Sequence, residues 1–118
     1  MLSLHQTEFV NSDRNCMVIM PCAYDDQPPQ IQQAETTWGE AVVAAWKSLE
    51  GARPIEKVEP LNYTGEQRDY LVKAWGDFSS RVPMLTSEIQ NNSTTTPPFV
   101  QMRLNEVALR ATVEHALV

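Results

Sequence analysis

Residues 63–90 read YTGEQRDYLVKAWGDFSSRVPMLTSEIQ, and the fold turns on how that line is divided. Leu71, Trp75, Phe78, Val82, Leu85 and Ile89 recur at alternating spacings of four and three. A period of about 3.5 residues stays close to the helical turn and keeps all six side chains in one narrow stripe. Thr64 followed by Gln67 has the form of a capping box, in which the hydroxyl accepts an orphan backbone N–H and the glutamine reaches back. Against an unbroken helix stands Pro83. It cannot donate to the carbonyl of Ser79, and its ring crowds that turn at a cost of about 3 kcal/mol. Because the stripe stays in phase across the proline, the reading is helix, bend, short helix.

Upstream, a first long helix is expected from Pro29 to Glu50, with Gly51 as its stop. Its buried stripe is Ile31, Ala34, Trp38, Ala41, Val42, Ala45 and Leu49, with Trp46 on the margin. Pro54 and Pro60 make residues 52–63 a connector, tacked to the core by Ile55 and Val58. The N-terminal text suggests a hairpin. Leu2 to Val10 is weakly extended, residues 11–15 are turn formers, and Cys16-Met17-Val18-Ile19-Met20 is apolar at every position and needs cover on both faces. Pro21 ends that strand or sets it on an edge.

Downstream, residues 91–98 form a polar, turn-rich loop. Phe99 to Val118 reads as a third helix with two apolar faces, one of Val100, Leu104, Val107, Ala108, Ala111 and Val118, the other of Met102, Leu109, Val113 and Ala116. A terminal helix on a small domain has difficulty burying both faces within one subunit. The rival reading makes Phe99 to Leu104 a strand, with Asn105 capping a shorter helix. The fold class expected is mainly α within α+β: a three-helix core with a bent central helix plus an N-terminal strand or β-hairpin, residues 1–118 forming a single globular domain.

Composition narrows the function classes. At 118 residues the chain is long enough for a hydrophobic core without disulfides or metal, and its hydrophobic and charged fractions of 42% and 20% are ordinary for globular proteins. The net charge of −6 and pI near 4.8 disfavour nucleic acid and anionic membrane as partners. The carboxylates are scattered from Glu8 to Glu114, so they form no dense stripe that would mimic DNA. No secretory signal and no membrane-spanning run is visible, and the expected location is a cytoplasm, or a virion for a viral protein. Cys16 and Cys22 form no disulfide framework and are read as reduced thiols.

Motifs for chemistry are sparse. Cys22 follows an apolar strand and precedes Asp25-Asp26, a place where nucleophiles are presented, and His5 or His115 could supply a base. The bland alternatives are a packed thiol, a solvated turn ahead of two prolines, and a margin histidine on the third helix. No CxxC, HExxH, GxGxxG or GxxxxGK[ST] occurs, so neither metal nor nucleotide cofactor is expected. Trp38, Trp46, Trp75 and Phe78 lie at helical core spacing, with Trp46 and Tyr70 best placed to reach a partner. In style the chain is similar to accessory and virion proteins of phages and to immunity or inhibitor proteins of mobile elements. That likeness of type assigns no residue. The function expected is noncatalytic: a protein-binding or assembly subunit, probing partners through Trp46, Tyr70, Met102, Leu109 and Val113 and forming a homo-oligomer. An acidic inhibitor that blocks a basic surface on an effector is the alternative, and a small Cys- or Asp-dependent enzyme the second alternative.

Overall fold

A computed structural model describes residues 1–9 and 12–116. Among them the chain forms an α+β fold of one four-stranded mixed sheet and three α-helices. The strands are β1 (Leu2–Thr7), β2 (Cys16–Met20), β3 (Glu59–Pro60) and β4 (Leu85–Gln90). The helices are α1 (Pro29–Lys47), α2 (Gly65–Ser79) and α3 (Pro98–Ala116). In space the strands run β1-β4-β2-β3. Strand β4 lies parallel to β1, with His5 beside Glu88, and antiparallel to β2, with Cys16 beside Ile89.

The line 63–90 therefore divides differently from the helical reading. α2 stops at Ser79 and the chain is extended from Leu85. Pro83 removes a helical donor and steers Val82 away from helical backbone, which is enough to end the helix. Leu85 and Ile89 kept the helical phase because a spacing of four is also two strand repeats, so both lie on one face of β4 as well. They are fully buried with Ser87 between them, while Thr86 and Glu88 face the other way. The capping box is also absent: Thr64 occupies the N-cap position in extended backbone but makes no side-chain cap bond.

Two further expectations are corrected. β1 and β2 form no hairpin, because β4 is inserted between them. Val10 and Asn11, assigned to that hairpin, lie outside the described residues. The apolar run of β2 is instead a central strand, flanked by β4 and β3. Nor is the core a three-helix one. α1 and α3 cover one face of the sheet, whereas α2 lies over the other face and buries only Ser79 of its fifteen residues.

The core is the sandwich between the sheet and the α1–α3 pair. Cys16, Val18 and Met20 of β2 and Leu85 and Ile89 of β4 meet Trp38, Val42, Val43 and Trp46 of α1 and Leu104, Ala108 and Ala111 of α3. Close approach of α1 depends on Gly39, where an added Cβ would stand 2.8 Å from Val58 and 3.4 Å from Val18. α1 ends three residues earlier than expected, at Lys47, and the turn beyond it passes through Gly51 at φ 87°. α3 is helical from the prolines onward, so the strand alternative for Phe99 to Leu104 is not adopted. Val118 of its expected inner stripe lies outside the described residues. Two indoles fasten the helices: Trp46 Nε1–H donates to the Leu104 carbonyl at 2.9 Å and Trp38 Nε1–H to Thr112 Oγ1 at 3.0 Å. No helix among the described residues is long and apolar enough to cross a membrane.

Candidate functional site

Strand alternation gives the sheet a second face. While Leu85, Ser87 and Ile89 turn to the core, Thr86 and Glu88 turn away, joined by Ser3 and His5 of β1 and Ile19 of β2. α2 is suspended above this face. Between helix and sheet lies a cleft of about 370 Å³, walled by Leu71 and Trp75 of α2, by Leu61 and Tyr63 ahead of it, and by Ile19 and Met84. Trp75 is half exposed and meets Phe78 edge to face, with ring centroids 6.4 Å apart.

The ionisable side chains His5 and Glu88 meet on adjacent strands of the cleft floor. His5 Nδ1 lies 3.1 Å from Glu88 Oε2, as the pairing of β1 with β4 requires. The Glu88 side chain is only 14% exposed, against 65% for His5. Its second carboxylate oxygen makes no hydrogen bond among the described residues. No lysine or arginine side chain lines the cleft; the remaining cation is the Met1 ammonium, which donates to the Pro83 carbonyl at 2.6 Å.

Beyond Met84 the cleft backs onto a buried acid. Glu35 of α1 is 0% exposed, and its Oε2 accepts from the Met84 backbone N–H at 2.9 Å and from Gln27 Nε2 at 3.1 Å. Gln27 Nε2 also donates to the Ser79 carbonyl at 2.8 Å. These bonds tie the loop before α1, the end of α2 and the start of β4 to one carboxyl. Burial raises the pKa of Glu35, and the bonds from Met84 and Gln27 and the charge of the amino terminus oppose the rise without cancelling it. Glu35 Oε1 and Gln27 Oε1 are both buried without a partner among the described residues. The acid form of Glu35 would add an O–H donor that the carboxylate lacks. Sequence reasoning passed over Glu35, although it lies three residues before Trp38 and seven before Val42. An acid in phase with an apolar stripe is the available signal.

The cysteines separate. Cys22 lines the cleft with His5, but strand register keeps them apart: Glu88 and Thr86 are two residues, about 7 Å, apart along β4, and Cys22 lies three residues past Ile19, the partner of Thr86. Cys22 makes no hydrogen bond to His5. Cys16 is fully buried, and burial pushes its thiol up to about 12. A thiol reagent at pH 8 is therefore expected to modify Cys22 alone in the native protein and both cysteines in denaturant, as mass spectrometry would count. Modification of Cys16 at native conditions would contradict the buried strand.

The expected partner residues divide as well. Trp46 is 0% exposed beneath α3, so it cannot touch a partner. It sits on the core side because α1 is covered by the sheet and by α3, which widens the buried arc beyond a single stripe. Tyr70, Met102, Leu109 and Val113 are exposed. Asp25 and Asp26 form a short 3-10 turn with Tyr24, and Asp26 pairs with Arg68 of α2 at 3.3 Å. Among the described residues no cluster of His, Cys, Asp and Glu could hold a metal ion. No family model matches the chain, and neither curated proteins nor solved structures give a match.

Proposed function

We propose that the protein works without catalysis, by protein–protein contact through the outer stripe of α3, and that the partner is a second copy of the chain. The observation that carries this is the stripe Phe99, Met102, Leu109 and Val113. These residues are between 47% and 69% exposed on a helix whose opposite face is already filled by the core. With Glu106 they fall at spacings of three, four, three and four, the repeat of a helix-pairing seam.

A second copy suits the stripe because its apolar ends are equidistant from Glu106. Phe99 and Val113 stand seven residues to either side. Met102 and Leu109 fall opposite positions Arg110 and Arg103, so a pair would lay each apolar side chain along an arginine stem. Glu106 already accepts from Arg110 at 3.0 Å and lies 3.9 Å from Arg103. An antiparallel pair about a two-fold axis at Glu106 would set Phe99 against the partner subunit's Val113 and bring the two Glu106 carboxylates together at the axis, each flanked by the arginines of both copies that offset their repulsion.

Leu109→Glu tests the reading. It places an unpaired carboxylate in the seam, which is expected to weaken association by several kcal/mol while leaving the fold intact, since Leu109 points away from the core. Light scattering and circular dichroism on one sample should give a dimer for the parent chain and a monomer of unchanged helicity for the variant. A parent chain that is already monomeric at micromolar concentration would overturn the proposal and favour an acidic inhibitor, whose binding to a basic target weakens with salt.

A further inference from the structure

Gly76 is out of place in the protein's own packing. It sits inside α2, where glycine costs about 0.5–1 kcal/mol relative to alanine. An added Cβ would meet only Val72 of the same helix, at 3.5 Å, so no neighbouring element requires the missing side chain. What the glycine leaves open is the cleft, which it lines. The floor of that cleft carries a largely buried carboxylate, Glu88, with one oxygen bonded to His5 and the other free of protein hydrogen bonds among the described residues. Its walls are aromatic and aliphatic.

We propose that the cleft between α2 and the β1-β4-β2 face binds a small amine: an apolar body seated between Trp75, Leu71 and Ile19, with its protonated nitrogen on the free oxygen of Glu88. A volume of about 370 Å³ is that of a small-ligand pocket. An ammonium donates to the largely buried Glu88 carboxylate, whereas a carboxylate ligand would be repelled by it and would find no lysine or arginine side chain in the lining, whose cation, the Met1 ammonium, is already held by the Pro83 carbonyl. This site lies on the opposite side of the sheet from the outer stripe of α3, and its occupancy does not depend on association.

NMR titration of the isotope-labelled 118-residue chain with three probes that share a phenylethyl body provides the test: 2-phenylethylamine, 2-phenylethanol and 3-phenylpropanoate. The amine is expected to bind about tenfold or more tightly than the alcohol, the carboxylate weakest, with shifts centred on His5, Trp75, Gly76 and Glu88. Glu88→Gln should lower amine affinity to that of the alcohol and leave the alcohol unchanged. Gly76→Leu fills the cleft from a position with room for it, gains helix propensity, and should abolish binding of all three in a protein of unaltered circular dichroism. Equal affinity for the three probes, an amine preference that survives Glu88→Gln, binding that survives Gly76→Leu, or no shifts at millimolar amine would each overturn the proposal.

Discussion

Trp46→Ala is expected to cost about 3–5 kcal/mol of stability, the range for removing a fully buried aromatic from a core. The indole is 0% exposed, and its N–H crosses from α1 to the Leu104 carbonyl of α3. Alanine therefore removes packing at the junction of both helices with the sheet and a hydrogen bond between helices. Trp46→Phe separates the two contributions, retaining most of the packing and losing the bond, for which about 1 kcal/mol is expected. Denaturant melts would give both values. Phe78→Ala is the control. The helical-seam reading makes Phe78 a core residue with an expected loss of about 3–5 kcal/mol, but it is half-buried at the rim of α2, and the structure lowers the expected loss to under about 2 kcal/mol. If Phe78→Ala proves the more damaging, α2 is packed more tightly than this arrangement allows.

That contrast marks how much of the fold the sequence disclosed. α1 and α3 were legible because long amphipathic runs flanked by prolines at the start have few other readings. The division of 63–90 was not, because the decisive residues carry both periods: Leu85 and Ile89 satisfy a spacing of four in a helix and of two in a strand, and only Pro83 distinguished them. Strand pairing was hidden for another reason. β1 and β4 are separated by more than seventy residues of chain, and a two-residue β3 has no periodicity to detect. The outer stripe of α3 was visible as a surplus apolar face. The cleft was invisible, since it is assembled from alternate residues of three strands and from a helix assigned to the core. Glu35 could have been noticed within its stripe, but its partners Gln27, Ser79 and Met84 come from three other segments.

The second large effect is expected at Glu35, where the two variants should differ in size of loss. Glu35→Ala strands the Met84 N–H and the Gln27 amide in a buried site, and each unpaired donor costs about 1–3 kcal/mol. Glu35→Gln keeps an acceptor for both and should lose far less. The pH dependence follows from the direction of the shift. Burial raises Glu35 above its ordinary value of 4.5, so between that value and the raised native one the folded protein holds a proton that the unfolded chain has released. Its contribution is thus fully present in acid, declines as pH rises through that window, and is constant above it. The Met1 ammonium, the cation that acts on Glu35, reduces the shift and cannot reverse its sign. Subtracting the stability of Glu35→Gln from that of the parent chain at each pH removes the remaining carboxylates from the comparison. The difference should favour the parent most in acid and fall toward neutral pH. A flat difference would mean that Glu35 is solvated, and one that rises with pH would mean that its carboxylate, rather than its acid form, is the species the fold holds.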